Sequence, residues 1–283
     1  MAKRSKKNSV PTSATSRLLL ENAPIQSELK FRIEEAYKTI RANIMFSVIK
    51  KGCKIIVVSS SLPNEGKTTT TVNLAVSISQ TDQRVLLIDG DLRKPKIHQY
   101  FGLPNAPGLT NFLSDTISGR RSADIFGIIH PTKYENLSVI CSGSIPPNPA
   151  ELLGSDFMTD FLADVSKDFD YIIIDTPPVN VVSDSFPLIR ESDGVVLVVR
   201  SNQSTHPELQ KALSALEFID AKILGFVVNF EEAKASKRKS SYGKYSSYGS
   251  YSPYYYGSNG SYSGYGRYSS YSSNHSKRSG DDK

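Results

Sequence analysis

Six short aliphatic runs punctuate the chain: Lys54–Ser59, Arg84–Asp89, Leu137–Cys141, Tyr171–Asp175, Gly194–Val199 and Ile223–Asn229. Within each run the apolar residues are continuous rather than alternating, which is the pattern of strands buried on both faces. Segments of helical length or period lie between most of them, at Lys67–Gln80, Ala150–Val165 and Pro207–Phe218. Ahead of the first run, residues 28–48 place Leu29, Ile33, Ala36/Tyr37, Ile40 and Ile44 on one side of a helix. Alternating buried strands and helices predict an α/β fold, a doubly wound and mostly parallel sheet flanked by helices. From Glu231 the apolar periodicity stops, and no aliphatic residue follows Ala235. That Ser/Tyr/Gly-rich tail cannot bury a core and is expected to be disordered. The chain therefore divides into a flexible basic segment 1–27, a folded domain 28–230 and a tail 231–283.

Charge sharpens the division. The net +6 is carried by the ends: residues 1–17 hold five Lys/Arg and no acid, and residues 233–283 hold nine Lys/Arg and two Asp. The body between them is acidic. A basic nucleic-acid groove on the folded domain is thereby excluded, and tail contacts with something anionic are favoured. Residues 1–17 lack the apolar stretch of a secretory signal, and no segment reaches the roughly 20 apolar residues of a membrane span, so a soluble protein is expected. Cys53 and Cys141 form no CxxC pair and are expected to be reduced, buried thiols. His98, His130, His206 and His275 show no metal-ligand spacing.

The first strand runs into Ser61-Leu62-Pro63-Asn64-Glu65-Gly66-Lys67-Thr68, followed by a helix. This is the phosphate-binding pattern GxxxxGK[ST], except that Ser61 replaces the first Gly. Backbone N–H groups of the loop and helix N-terminus would face the phosphates, Lys67 would lie at the β/γ position, Thr68 would reach Mg²⁺ and Thr69 the α-phosphate. Two strands end in acids: Val85–Ile88 leads into Asp89-Gly90-Asp91-Leu92-Arg93, and Tyr171–Ile174 into Asp175-Thr176-Pro177-Pro178. The C-terminal edge of such strands is where α/β folds bind ligands. Asp175 is expected to hold Mg²⁺ through water. Of Asp89 and Asp91, one would accept a proton from an attacking hydroxyl and the other help hold the metal. A helix cap, or an ion pair with Arg93, is the plainer role for either. Asn229, ending the last strand, is a candidate for adenine contact or for a strand-end turn.

The P-loop with Pro63, the run Leu86–Pro95 (LLIDGDLRKP), the run Ile172–Pro178 (IIIDTPP) and a C-terminal tyrosine cluster together resemble the bacterial tyrosine kinases (BY-kinases) of capsular and exopolysaccharide synthesis. Pro146–Leu153, Val199–Thr205 and Gly225–Asn229 are also similar to that family. Each piece is shared with the wider MinD/ParA-like ATPases, but their early P-loop lysine is absent from positions 60–64. The resemblance implies an ATP- and Mg²⁺-dependent protein-tyrosine kinase that autophosphorylates in trans within a ring of subunits. It implies a transmembrane activator, or chain-length regulator, whose cytoplasmic segment completes the site and recruits a cytoplasmic kinase to the inner face of the plasma membrane. It also implies a cognate tyrosine phosphatase. The family's ring motif, E-x-x-R-x-x-R, is matched by Glu35, Lys38 and Arg41, with Lys38 in place of the first Arg. A lysine lacks the planar bidentate fork of arginine, and a helix-surface charge pair is the simpler reading of the same spacing.

Eleven of fifteen tyrosines lie in the tail. Tyr242, Tyr245, Tyr248, Tyr251 and Tyr254 recur every three residues, as do Tyr262, Tyr265, Tyr268 and Tyr271, with Tyr255 and Tyr256 adjoining the first run. Period three with intervening Gly, Ser and Pro is no helix stripe, so core packing is excluded as their reason; the resemblance makes them candidate phosphorylation sites. Each phosphate adds about −1.5 to −2 charge, so four would cancel or reverse the tail's positive charge. Two other functional classes fit the motifs: a switch ATPase that leaves the tyrosines unmodified, and a nucleotide-binding scaffold of a polysaccharide assembly complex. Ser-Tyr-Gly repeats also describe segments that self-associate or stack on RNA bases.

Overall fold

The computed structural model describes residues 27–119 and 124–230, with side chains from residue 30 onward. Segments 1–26 and 231–283, and with them every tail tyrosine, lie outside the described residues.

Helix α1 (Ser27–Ser47) precedes strand β1 (Lys54–Ser60), helix α2 (Lys67–Ser79) and strand β2 (Val85–Asp89). Helices α3 (Ile97–Phe101) and α4 (Leu109–Ile117), a 3-10 turn at Ile125–Ile128 and strands β3 (His130–Pro131) and β4 (Leu137–Ile140) follow. Then come α5 (Pro149–Leu153), α6 (Asp156–Val165), β5 (Tyr171–Asp175), α7 (Ser185–Arg190), β6 (Gly194–Arg200), α8 (His206–Phe218) and β7 (Ile223–Asn229). The seven strands form one sheet in the order β3-β4-β2-β5-β1-β6-β7. All neighbours are parallel except β3, which runs antiparallel to β4.

Because side chains alternate across a strand, the continuous apolar runs feed two cores. Ile55 and Val57 face one layer with Leu113, Phe161, Leu188 and Leu216. Ile56 and Val58 face the other with Tyr37, Ile44, Val72 and Leu74. Helix α1 thus covers the sheet through Tyr37 and Ile44, with Ile33 and Ile40 partly buried, and Val48 just beyond its end joins the same core.

The fold corrects two expectations. Ala150–Val165 is not one helix but α5 and α6, because Gly154 closes the first turn and Ser155 is extended (φ −79°, ψ 152°). Apolar periodicity survives the break since Leu153, Met158, Phe161 and Val165 pack into the same core, so the pattern reads as unbroken. Strand β7 is apolar throughout yet is a sheet edge: Phe226 and Val228 are 47% and 56% exposed. Helices α3 and α7 and strand β3 are too short to leave a periodic signal, whereas α4 spaces Leu109, Phe112, Leu113 and Ile117 at helical intervals. Among the described residues, no helix is long and apolar enough to cross a membrane.

Candidate functional site at the P-loop

The loop between β1 and α2 is tightly wound, with Asn64 (φ 65°) and Gly66 (φ 91°) in the left-handed region. Gly66 is required twice over, since a Cβ there would lie 2.1 Å from Asn229 Nδ2. The loop leaves Lys67 and Thr68 as the first residues of α2, facing the ends of β2 and β5. Those two strands are adjacent and in register, with Asp89 opposite Asp175. Parallel pairing therefore brings together acids 86 positions apart.

Lys67 Nζ lies 3.0 Å from Asp91 Oδ2 and 3.4 Å from Asp175 Oδ2. The Thr68 hydroxyl donates to Asp175 Oδ2 at 2.7 Å, and the Thr71 hydroxyl to Asp175 Oδ1 at 3.1 Å. Asp89 organises the following loop: its Oδ2 accepts from the amides of Lys96 (3.0 Å) and Ile97 (2.9 Å), and its Oδ1 from the Asp91 amide at 3.3 Å. Asp91 Oδ1 accepts from the Lys94 amide at 3.0 Å. All three carboxylates are buried. Burial pushes the Asp89 carboxyl up to about 7, aided by the charge of Asp175. Asp175 is also raised, again by burial, against the pull of Lys67 and Thr68. Burial alone would lower the Lys67 ammonium, but Asp175 and Asp91 outweigh it and hold it above its ordinary value.

Two of the three acids thus share one lysine and the third meets only amides, so one cation stands against three acids in a buried place. Such an excess fits a divalent cation. The residues are not a ready-made metal cage, since no cluster of three or more metal-binding side chains occurs among the described residues. That suits Mg²⁺, which takes one or two carboxylates together with phosphate and water oxygens.

Other expected residues sit elsewhere. The Ser61 and Glu65 side chains bond each other at 3.0 and 3.1 Å instead of facing outward. Pro63 contributes a carbonyl 3.5 Å from Gln203 Nε2. Thr69 Oγ1 is 2.7 Å from the Tyr100 hydroxyl. Asn229 donates to the Glu65 carbonyl at 3.3 Å, on the far side of the loop from Lys67's partners. Arg93 pairs with neither Asp89 nor Asp91; it bonds the buried Asp184 through two nitrogens, at 2.5 and 3.1 Å. Glu35 and Lys38 form a 2.7 Å pair along α1, whereas Arg41 turns onto α2 and donates to the Ser77 carbonyl at 2.5 Å. Sequence reasoning missed Thr71 and Ser204. Thr71 stands one helical turn after Lys67 and was within reach of a periodicity argument; Ser204 left no local signal.

The family model described as AAA domain matches residues 53–224. The chain is similar to "Tyrosine-protein kinase YwqD" of Bacillus subtilis (strain 168), 38% identical over 224 residues that span 79% of this chain and 91% of that protein. Among solved structures, the kinase domain of Escherichia coli tyrosine kinase ETK is 31% identical with a TM-score of 0.67, covering 85% of this chain and 88% of that one. The chimerical protein CapA2B2 is 35% identical with a TM-score of 0.67, covering 75% and 89%.

Proposed function

The chain belongs to the bacterial tyrosine-protein kinases, and from that premise we propose that it uses ATP and Mg²⁺ to phosphorylate the C-terminal tyrosines, Tyr242 to Tyr271, of neighbouring copies, as part of the control of capsular or exopolysaccharide synthesis. The observation that carries this reading is the meeting of Lys67, Thr68, Asp89, Asp91 and Asp175 at one sheet edge.

Backbone amides from Asn64 to Thr69 and the Lys67 ammonium would hold the phosphates. Thr68 and Asp175 would hold Mg²⁺, which when bound supplies charge neutralisation for the transferring group. Asp89 is the better base. Both oxygens of Asp91 are engaged, by Lys67 and by the Lys94 amide, whereas Asp89 Oδ1 has a single long contact. In transfer, the tyrosine oxygen bonds to the γ-phosphorus, its proton passes to Asp89, and the bond to the β-phosphate oxygen breaks, leaving ADP. Positioning and electrostatics supply the rest.

Glu35 and Lys38 on α1 are the proposed subunit contacts in a ring, with Arg41 joining them only on release from Ser77. A transmembrane activator would bring the kinase to the inner face of the plasma membrane, and a tyrosine phosphatase would reset the tail. Membrane contact by the kinase itself would come only through the basic ends.

The test is mass spectrometry of the 231–283 peptides after incubation with Mg²⁺ and ATP, with and without the cytoplasmic segment of a candidate activator. Phosphate on Tyr242–Tyr271 that vanishes in Lys67→Met is the expected result. Unmodified tyrosines beside measurable ATP hydrolysis would overturn it in favour of a switch ATPase.

A further inference from the structure

Glu65 lies inside the P-loop with no exposed surface, yet all the hydrogen bonds to its carboxylate come from neutral donors. The Ser61 hydroxyl reaches both its oxygens, at 3.0 and 3.1 Å, and the Leu62 amide donates at 2.8 Å. The third donor is the Ser204 hydroxyl, from the turn between β6 and α8, 139 positions away. Ser204 is itself fixed, because its oxygen accepts the Arg200 amide at 2.8 Å. The same turn holds the outer carbonyls of the loop: Arg200 donates to Asn64 O at 3.2 Å and Gln203 to Pro63 O at 3.5 Å.

The loop needs such a brace. Its first position carries Ser61 where glycine would give conformational freedom, and Asn64, a non-glycine residue, is held at positive φ. A side chain that folds back from position 65 onto positions 61 and 62 closes the loop on itself. A buried carboxylate is tolerated only where its hydrogen bonds are made, so any loop shape that parts Glu65 from these donors is disfavoured.

We infer that Glu65 and Ser204 are a positioning pair that holds the P-loop in its phosphate-binding shape, replacing the missing first glycine and tying the loop to the β6–α8 turn. Neither side chain touches the phosphates; both act through the backbone amides of the loop. The inference rests on the nucleotide-site reading above.

The experiment is calorimetric binding of Mg-ADP to the full-length protein, together with KM and kcat for ATP. Glu65→Ala should weaken Mg-ADP binding and raise KM roughly tenfold or more, the size expected when hydrogen bonds to a charged group are lost, while kcat changes much less. Ser204→Ala should move the same quantities in the same direction. The double variant should be no worse than Glu65→Ala alone, because both changes remove one interaction. Glu65→Gln keeps the shape and half the acceptors and should recover part of the affinity; it also replaces Glu65→Ala if that variant does not fold. Unchanged affinity in Glu65→Gln and Ser204→Ala, or strictly additive losses, would overturn the inference. Failure of the wild-type protein to bind Mg-ADP would overturn the nucleotide-site reading itself, a result distinct from either.

Discussion

Two groups of buried acid flank the P-loop, and the fold treats them in different ways. Glu65 has its carboxylate oxygens filled by hydroxyl and amide donors of its own loop and of the β6–α8 turn. Asp89, Asp91 and Asp175 come from two other strand ends: Asp91 and Asp175 share a single lysine, and Asp89 beside them is met only by backbone amides. The first arrangement is complete without any ligand. The second keeps unbalanced charge out of water, which burdens folding and yet suits a cation and a proton transfer. Burial of an acid is thus no guide to its role; what matters is whether its neighbours have already satisfied it.

The strongest way to break this contrast is Asp89→Asn. If Asp89 is the base, tyrosine phosphorylation should fall by about 10² to 10⁴-fold, measured as initial rate with Mg²⁺ and ATP. The same variant should be more stable without nucleotide at pH 8, because it removes a charge the fold disfavours. A normal rate, or a loss of stability at that pH, would put Asp89 in the satisfied class with Glu65.

A finer test follows from the direction of the shift. The Asp89 carboxyl stands at about 7 in the folded chain, above its ordinary 3.8. A raised carboxyl favours the folded state when protonated, so its contribution is fully present below about pH 4 and is lost as pH climbs through 7. The stability gap between Asp89→Asn and wild type should therefore be small near pH 4, widen towards pH 7 and then level off. Its ceiling is about 4 kcal/mol, at 1.36 kcal/mol per pKa unit. Denaturant titration across that range would reveal a flat gap if the burial argument is wrong.

The smallest effect concerns Cys141, at the end of β4, whose thiol is pushed up to about 12 by burial, with the charge of Asp89 adding to it. Native protein at pH 8 should leave Cys141 unalkylated by iodoacetamide over a period that fully labels the denatured chain. Rapid native labelling would show that water reaches this edge more freely than the buried carboxylates require.

Much of this edge was legible in the residues. Six strand runs, the Gly66-Lys67-Thr68 loop and the acids ending two strands are local patterns, each set by neighbours a few positions away. The parallel alternation then obliged those strand ends to meet. The division of Ala150–Val165 does not show in periodicity, because both halves feed one core; its signal is the capping pair Gly154-Ser155, a helix stop followed by a helix start. The exposed face of β7 was not legible, since an apolar run records preference for burial and not which strand will stand at the edge.

Sequence alone determined the class of fold, the phosphate loop and the set of acids available to it, because hydrophobic period and motif spacing are properties of contiguous chain. Tertiary structure alone decided which neighbours each acid meets. Glu65 meets Ser204 across 139 positions, Asp91 meets Lys67 across 24 and Arg93 meets Asp184 across 91. No local pattern encodes those meetings; they arise when strand order and register close the sheet, and the burial that shifts an acid's proton affinity exists only after that closure.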